Sequence, residues 1–268
     1  MKSDSEFAGS IPEIYDRYLG PLIFEPYAID LGKRVATLHP KRVLETAAGT
    51  GIVTRELARK LGRDAALLAT DLNQAMLDVA KSKLAGANVE FRQADALALG
   101  FESDTFDAVI CQFGAMFFPD KVKAYREAWR VLKPGGRFVF NVWDRIERNE
   151  FAEAASDAVA RCFPSDPPQF LRRTPYGYND VEAIKNELKQ AGFTTVSAEP
   201  VSARTRAPSH EGPAIGFCQG SPLRSEIEAR DAQGLAGATQ AAAEAIALRF
   251  GRGPVEAGAQ AVVFTAIR

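Results

Sequence analysis

The chain has 268 residues, of which 46% are hydrophobic and 25% charged, and its formal net charge is −1. This is the composition of an ordinary globular protein that can bury a sizeable core. Its near-neutral charge gives no electrostatic reason to expect a nucleic acid or an anionic membrane as a partner. The three cysteines, Cys111, Cys162 and Cys218, are widely spaced. They fit a reducing cytosol and match no metal-binding spacing.

Residues 1–40 are expected to form an N-terminal helical cap with a loose polar start at residues 1–10. Two helices are predicted over about 11–19 and 22–38, because Gly20-Pro21 is a typical helix break. No apolar stretch here has the length of a signal peptide, and none in the sequence is long enough to span a bilayer. We therefore expect a cytoplasmic protein with no integral membrane segment.

Between residues 41 and 143, predicted strands alternate with predicted helices. The strands cover about 42–46, 65–70, 88–92, 106–111 and 137–143, and the helices cover about 52–61, 73–84 and 121–132. Alternation at this spacing predicts an α/β fold with a parallel, doubly wound sheet.

Beyond residue 143 the pattern is looser, although the chain is still expected to form a single domain. Helices are predicted over 150–162 and 181–191, a sixth strand over 193–201, further helices near 209–219, 222–231 and 236–250, and a last strand over 259–267. Residues 144–201 are thus predicted to form substrate-side helices and strand 6. We interpret residues 202–258 as a helical lid inserted before the last strand (259–268), since amphipathic stretches favour helices over an unstructured loop.

The stretch Glu45-Thr46-Ala47-Ala48-Gly49-Thr50-Gly51 joins the first predicted strand to a helix. Gly49 and Gly51 permit positive φ angles and remove side chains that would keep a ligand from the backbone. The N–H groups of the new helix N-terminus are then exposed at the carboxyl end of the strand, where open α/β sheets bind nucleotide-like ligands. The stretch therefore predicts a nucleoside cofactor.

Two cofactor classes fit such a turn: a dinucleotide, and a nucleoside that carries an ammonium group. A dinucleotide site requires a third small residue, but Thr54 stands at that position. Glu45, at the end of the first strand, suits an ammonium group better than a pyrophosphate, since like charges repel. Asp71, at the end of the second strand, can accept hydrogen bonds from ribose hydroxyls in either class.

Three further motifs complete a recognisable set, and they follow strand 3, end strand 4 and precede strand 5. They are Asp95-Ala96-Leu97, Cys111-Gln112-Phe113 and Leu132-Lys133-Pro134-Gly135-Gly136. With the glycine turn and Asp71, they resemble the class I S-adenosylmethionine-dependent methyltransferases, especially the ubiquinone/menaquinone-biosynthesis-type small-molecule enzymes. The resemblance covers about residues 42–143 and, more weakly, the last strand. It implies a Rossmann-like seven-stranded sheet whose last strand is antiparallel and lies between strands 5 and 6.

The resemblance also implies S-adenosylmethionine as the cofactor and assigns roles to individual residues. The methionine part would be bounded by Glu45, Ala47, Gly49 and Gly51, and Gln112 would direct its backbone carbonyl toward the methionine ammonium. Asp71 would hold the ribose. The adenine would lie against Leu72 and Met76, with its amino group meeting Asp95 and its ring edge meeting the backbone of Ala96. Tyr18, on the first predicted helix, is expected to cover the site. Ala47 departs from the family pattern, which has a glycine there, and its methyl group is tolerable if its φ is negative.

Methyl transfer from a sulfonium is an in-line displacement, which needs a base only when the nucleophile carries a proton of high pKa. Candidate bases are His210, in the predicted lid, and Asp144, just beyond strand 5. Strand 4 is not followed by the Asp/Asn-Pro-Pro-aromatic motif of enzymes that methylate nucleic-acid bases. We therefore expect a small, partly apolar acceptor, O- or C-methylation, no nucleic-acid partner, no metal, and a monomer or homodimer. The alternatives are a non-catalytic S-adenosylmethionine-binding protein and an NAD(P)-dependent oxidoreductase.

Overall fold

The computed structural model describes residues 11–62 and 64–268 of the chain, so the loose start expected at residues 1–10 lies outside the described residues. Seven strands form one sheet: β1 Arg42–Glu45, β2 Ala66–Asp71, β3 Val89–Gln93, β4 Phe106–Gln112, β5 Leu132–Trp143, β6 Thr195–Ala207 and β7 Val255–Ile267. The α-helices are α1 Ile11–Ile14, α2 Glu25–Ala36, α3 Ile52–Lys60, α4 Gln74–Lys83, α5 Lys121–Val131, α6 Glu150–Cys162, α7 Phe170–Arg173, α8 Val181–Gln190, α9 Glu211–Gln219, α10 Leu223–Arg230 and α11 Leu235–Phe250. None of the helices described is long and apolar enough to cross a membrane.

The strand order is β3-β2-β1-β4-β5-β7-β6. β1 is parallel to both β2 and β4, β2 is parallel to β3, and β4 is parallel to β5. β7 is antiparallel to β5, because Gly135 N–H donates to the Arg268 carbonyl at one end and Asp144 N–H donates to the Gln260 carbonyl at the other. The predicted seven-stranded Rossmann-like sheet, with an antiparallel last strand between strands 5 and 6, is confirmed.

The register of the parallel strands places the predicted site residues at one edge of the sheet. Glu45, the last residue of β1, lies opposite Ala69 of β2 and Ile110 of β4. Each neighbouring strand continues for two residues beyond that point, to Asp71 and Gln112 respectively. The carboxyl ends of three adjacent strands thus come together, as they do in the ligand crevice of open α/β sheets.

The chain forms two compact units. The core unit comprises Tyr27–Val142, Asn179–Val201 and Ala261–Arg268, and the helical unit comprises the described residues up to Pro26, Trp143–Tyr178 and Ser202–Gln260. The sequence placed α2 in the N-terminal cap and α8 among the substrate-side helices, whereas both belong to the core unit.

An aromatic cluster on one face of the sheet stabilises the core unit. The rings of Phe138 and Phe140, on β5, stack with centroids 4.6 Å apart, and Phe264 of β7 stacks on Phe140 at 5.0 Å. Tyr125 of α5 packs 5.3 Å from Phe140, and Phe193 stacks on Phe138 at 6.0 Å. All five rings are buried. Aromatic side chains bury large areas, so this cluster accounts for a substantial part of the hydrophobic stabilisation around β5.

The helical unit has a core of its own, built from α6, α9 and α11. Phe151 of α6 meets Phe250 of α11 edge to face at 5.0 Å. Arg249, on α11, donates to Glu150 at 3.0 Å and to Glu153 at 2.6 Å, which ties α11 to α6. Glu226 of α10 accepts hydrogen bonds from the backbone N–H groups of Gln169 and Phe170 and so caps the start of α7.

The predicted break at Gly20-Pro21 is wrong, because the helix continues through it. Residues Tyr15–Phe24 form a π-helix between α1 and α2, and Glu25 N–H donates to the carbonyl of Gly20, five residues earlier. Proline cannot donate an α-helical hydrogen bond and its ring crowds the preceding turn. The wider π-helical turn accommodates Pro21 without ending the helix.

Strands β5, β6 and β7 are longer than predicted. Leu132-Lys133-Pro134-Gly135-Gly136, which the sequence analysis placed before strand 5, is the first part of β5. β6 extends to Ala207 and β7 begins at Val255, so the helical segment between them covers 208–254 rather than 202–258. Residues along β6 alternate between more and less exposed positions, and the exposed positions include charged residues. These charges hid the apolar pattern by which a strand is recognised in the sequence.

The ends of β1 and β4 are packed so closely that Gly114 has no room for a side chain. A Cβ atom at Gly114 would lie 2.5 Å from the Cβ of Ala47 and 2.8 Å from the Sγ of Cys111. Ala47 itself has φ of +53°, so the condition set for its methyl group in the sequence analysis, a negative φ, is not met. The methyl group of Ala47 is accommodated because the facing residue is a glycine.

Gly114→Ala is therefore expected to lower the free energy of unfolding by about 1–3 kcal/mol through overpacking. The double variant Ala47→Gly/Gly114→Ala should recover part of this loss, because one of the two clashes is removed. Urea denaturation followed by circular dichroism measures both values.

Gly100→Ala is the matched control, since no atom lies within 4 Å of its added Cβ. We expect it to change stability by less than about 0.5 kcal/mol. Equal losses for Gly114→Ala and the double variant would show that Ala47 does not set the space at Gly114.

Candidate cofactor site

The turn between β1 and α3 leaves open space for a ligand at Gly49. Gly49 and Gly51 have φ angles of +56° and +82°, which favour glycine at both positions. A Cβ at Gly51 would lie 2.9 Å from the Cβ of Ala80 on α4, whereas a Cβ at Gly49 would meet nothing within 4 Å. Gly51 therefore permits close packing of the turn on α4, and Gly49 faces open space.

Asp71 holds this turn in place from the end of β2. Its Oδ2 accepts a hydrogen bond from Gly49 N–H at 2.8 Å, and its Oδ1 accepts one from Asn73 N–H at 2.8 Å. Burial raises the pKa of Asp71, and the backbone N–H groups of Asn73, Gly49 and Leu72 oppose that shift. Each carboxylate oxygen can accept more than one hydrogen bond, so the carboxylate retains capacity for the ribose hydroxyls that the sequence assigned to it.

Glu45 places a second carboxyl group beneath the same turn. It is only 1% exposed, and its Oε2 is buried without a hydrogen-bond partner. Burial raises the pKa of Glu45, Thr54 on α3 partly opposes this shift and the nearby Asp71 adds to it, and the resulting pKa is about 8. A cation that pairs with a buried carboxylate of this kind lowers its free energy.

The residues that follow β2 present an apolar surface at its end. Leu72 is 59% exposed, which is unusual for a large apolar side chain in this protein. The side chain of Asn73 caps α4 by accepting from Ala75 N–H at 2.9 Å. Met76, in the first turns of α4, is buried. Leu72 thus offers its side chain for contact with a planar ring, while Met76 lies inside the packed region.

Hydrogen bonds connect the end of β3 to the end of β2. Ala94 N–H donates to the carbonyl of Asp71 at 3.0 Å, and Gln93 Nε2 donates to the carbonyl of Leu72 at 2.8 Å. Asp95 is exposed and accepts from Leu97 N–H at 2.9 Å, which forms a tight turn; Ala96 lies within that turn. These bonds bring Asp95 and Ala96 to the same sheet edge as Asp71.

The end of β4 is held in an unusual conformation by a buried side chain. Phe113, which follows Gln112, has φ of +50°. Its N–H donates to the Oδ1 of Asn141 at 3.0 Å, and Asn141 on β5 is fully buried. The sequence did not single out Asn141. This contact orients the chain just after the carbonyl of Gln112, which was assigned to the methionine ammonium.

Three other predicted site residues, Tyr18, Asp144 and His210, belong to the helical unit. Tyr18 lies in the π-helix, with the guanidinium of Arg17 5.3 Å from its ring centroid. Asp144 follows β5, and its Oδ1 accepts from Arg145 N–H at 2.7 Å.

His210 immediately precedes α9 and is 8% exposed. Its Nδ1 lies 2.5 Å from the carbonyl of Arg252, which identifies Nδ1 as the donor, since a carbonyl can only accept. Only Nε2 is then available to take a proton, so any action of His210 as a base depends on that nitrogen.

The residues at this edge of the core unit fit S-adenosylmethionine. The buried Oε2 of Glu45 provides an unused acceptor for an ammonium group, the open space at Gly49 admits a ligand to the backbone, and the carboxylate of Asp71 lies beside both. A pyrophosphate would instead meet two carboxyl groups, which is unfavourable.

Comparisons with known proteins agree with this geometry. A model of the methyltransferase domain family matches residues 43–136. The ubiquinone/menaquinone biosynthesis C-methyltransferase UbiE of Marinomonas sp. (strain MWYL1) is 33% identical over 168 residues, which are 58% of this chain and 67% of the relative.

Two solved structures show the same fold. The YcgJ protein of Bacillus subtilis has a TM-score of 0.57 and 20% identity, covering 91% of this chain and 98% of its own. Phosphoethanolamine N-methyltransferase 2 of Haemonchus contortus, in complex with phosphomonomethylethanolamine and S-adenosylhomocysteine, has a TM-score of 0.53 and 18% identity, covering 97% of this chain and 60% of its own.

These findings decide between the two cofactor classes that the glycine turn left open. The cofactor is S-adenosylmethionine, and the alternatives of an NAD(P)-dependent oxidoreductase and a non-catalytic binding protein are not supported. The chain belongs to the class I S-adenosylmethionine-dependent small-molecule methyltransferases.

Proposed function

We propose that this enzyme transfers the methyl group to a carbon atom of a small, partly apolar acceptor with an activated ring. The identity of 33% to a C-methyltransferase over 168 residues is the observation that carries this proposal. O-methylation of a hydroxyl on the same kind of acceptor is the second candidate, because an ionised ring hydroxyl is also a nucleophile. The two differ in which atom of the acceptor approaches the methyl group in line with the sulfur.

We also propose roles for the residues of the cofactor site. S-adenosylmethionine supplies a methyl group on a positively charged sulfur. Glu45 attracts the methionine ammonium, and Asp71 accepts the ribose hydroxyls while it holds Gly49 N–H. We keep the roles that the resemblance implies for the remaining residues, which are Ala47, Gly51, Gln112, Asp95, Ala96, Leu72 and Met76. Much of the rate acceleration in such a displacement comes from holding the reacting atoms in line.

The chemistry of a carbon acceptor sets a condition on any base. After a ring carbon has accepted the methyl group, its proton must leave to restore the ring. An acceptor that reaches the site already ionised requires a base only for this later step. His210, through Nε2, and Asp144 are the candidates that the sequence provides.

Several other expectations stay predictions. They are the lid role of the helices between β6 and β7, the contact of Tyr18 with the cofactor, the cytoplasmic location, the absence of a nucleic-acid partner and the state of the protein as a monomer or homodimer.

Asp71→Ala is expected to weaken binding of S-adenosylhomocysteine. The loss of charge-assisted hydrogen bonds is worth about 1.5–3 kcal/mol, which corresponds to roughly a 10- to 150-fold increase in Kd. Isothermal titration calorimetry measures this change.

Asp120→Ala is the matched control, because Asp120 caps α5 through Lys123 N–H and lies outside the site. It should lower stability by about 0.5–2 kcal/mol without changing the Kd. An unchanged Kd for Asp71→Ala would remove Asp71 from the ribose position.

The acceptor class is tested by incubating the enzyme with methyl-labelled S-adenosylmethionine and a panel of phenols, hydroquinones and their O-blocked analogues. We expect label on ring carbon, which the carbon NMR shift of the methyl group distinguishes from label on oxygen. Label found only on oxygen would contradict C-methylation and favour the second candidate. Label on neither atom with every acceptor in the panel would contradict the proposed acceptor class.

A further inference from the structure

Asn141 is a polar side chain in an otherwise apolar, buried part of β5. The residues from 138 to 142 are all at most 2% exposed. Oδ1 of Asn141 accepts the N–H of Phe113 at 3.0 Å, whereas its Nδ2 finds no hydrogen-bond partner among the described residues. An unpaired buried donor destabilises a fold, and an apolar side chain at this position would avoid that cost. The presence of an asparagine therefore needs an explanation, and its contact with Phe113 offers one.

Phe113 has a backbone conformation that a bulky residue rarely adopts. Its φ of +50° lies in the left-handed region, which is unfavourable for a residue with a Cβ atom. Its N–H donates to Oδ1 of Asn141 at 3.0 Å and to the backbone carbonyl of Asn141 at 3.2 Å. Its ring meets that of Tyr27 edge to face at 5.4 Å. Strained residues persist where the surrounding structure fixes them, and they are frequent at sites that bind ligands.

The contact with Phe113 also fixes the direction of the Gln112 carbonyl. The N–H of Phe113 and the C=O of Gln112 belong to one trans peptide unit, in which they lie in one plane and point in opposite directions. Because this N–H points to β5, the carbonyl points away from β5, toward β1. The carbonyl of Ile110, two residues earlier in β4, points to the same side and accepts the N–H of Thr46 at 2.8 Å. The Gln112 carbonyl is thus directed at the turn that follows β1.

We propose that Asn141 is a positioning residue for the methionine ammonium of the cofactor, and that it acts through the Gln112 carbonyl. Asn141 holds the N–H of Phe113, the shared peptide plane directs the carbonyl toward the turn after β1, and the ammonium donates to that carbonyl. A carbonyl oxygen has two lone pairs, so it can accept the ammonium beside one other donor. The inference rests on the proposed role of Gln112. Asn141 therefore contributes to the preference for ligands that carry the ammonium, and not to binding of the adenosine part.

Asn141→Leu tests the proposal, because leucine has nearly the shape of asparagine and no acceptor oxygen. The Phe113 N–H keeps the backbone carbonyl of residue 141, so the change leaves no donor unpaired. The probes are S-adenosylhomocysteine and its desamino analogue, in which hydrogen replaces the α-amino group, both titrated calorimetrically at neutral pH. We expect the preference for the first ligand, measured as the ratio of the two Kd values, to fall roughly 2- to 12-fold, the worth of one hydrogen bond. Some preference should remain, because Glu45 still attracts the ammonium.

The desamino analogue is also the internal control for folding. Its Kd should stay close to that of the natural protein, since it has no ammonium to donate to the Gln112 carbonyl. A loss of affinity by the same factor for both ligands would indicate a packing defect at the end of β4 and overturn the proposal.

Two further variants separate the hydrogen bond from the volume of the side chain. Asn141→Ala also removes the acceptor but leaves a space, so the ratio should fall by the same factor as in Asn141→Leu, and either variant alone carries the test. A fall confined to one of them would trace the effect to volume and overturn the proposal. Asn141→Asp keeps an oxygen at the acceptor position and should keep the preference. A ratio that falls as far in Asn141→Asp as in Asn141→Leu would also overturn it.

Val139→Ala is the matched control on the same strand. Val139 lies two residues before Asn141, so its side chain is on the same face of β5, and it is 2% exposed. Its truncation disturbs the packing of the strand and lowers stability without removing the acceptor. The ratio of the two Kd values should stay that of the natural protein. An equal change of the ratio in Val139→Ala and Asn141→Leu would show a general effect of loosening β5 and contradict the proposal.

The natural protein separates a failure of this inference from a failure of the proposed function. If it binds the two ligands with equal affinity, the ammonium contributes nothing, and the proposed roles of Gln112 and Glu45 are wrong together with that of Asn141. If it prefers the ligand with the ammonium, but Asn141→Leu and Asn141→Ala keep that preference in full, only the role of Asn141 is wrong.

Discussion

The burial of the Glu45 carboxyl group beneath the glycine turn is the constraint on which the rest of the site depends. Taking a carboxylate out of water without a cation costs several kcal/mol, so the group stays protonated or acquires a positive partner. Asp71, the other acid at this edge of the sheet, is stabilised differently, because two backbone N–H groups donate hydrogen bonds to its carboxylate. One acid is therefore fixed by the fold, and the other is left for the ligand. The proposed roles follow this difference, with Asp71 assigned to the ribose hydroxyls and Glu45 to the methionine ammonium.

The positions of these acids could be predicted because parallel strands impose them. Once β1 is flanked by two parallel strands, an acid at the end of β1 and another at the end of β2 must meet at the same edge, whatever the packing elsewhere. The helix predicted over 150–162 also has those bounds in the structure, as α6. Strong local patterns and strict strand geometry carry this part of the prediction.

Features that depend on contacts between distant residues could not be predicted in this way. The close approach of Gly114 to Ala47 follows from how the ends of β4 and β1 pack together. The sequence shows an alanine where the family pattern has a glycine, but it does not show what lies opposite that alanine. Likewise, Gly20-Pro21 is a sound signal for a helix break, and only the surrounding packing selects a π-helix instead.

We expect cofactor recognition and acceptor recognition to depend on different parts of this chain. The family match ends at Gly136, and the residues assigned to the nucleoside lie in the core unit except Tyr18, which belongs to the helical unit. A cofactor shared by many enzymes constrains these residues strongly, because its charges and ring are the same in each. An acceptor that differs between enzymes imposes no such common pattern, and solved structures at 18–20% identity share the fold while one of them acts as a phosphoethanolamine N-methyltransferase. The segments without a recognisable motif, in the helical unit, are consequently where the choice of acceptor must be sought, and fold similarity alone cannot supply it.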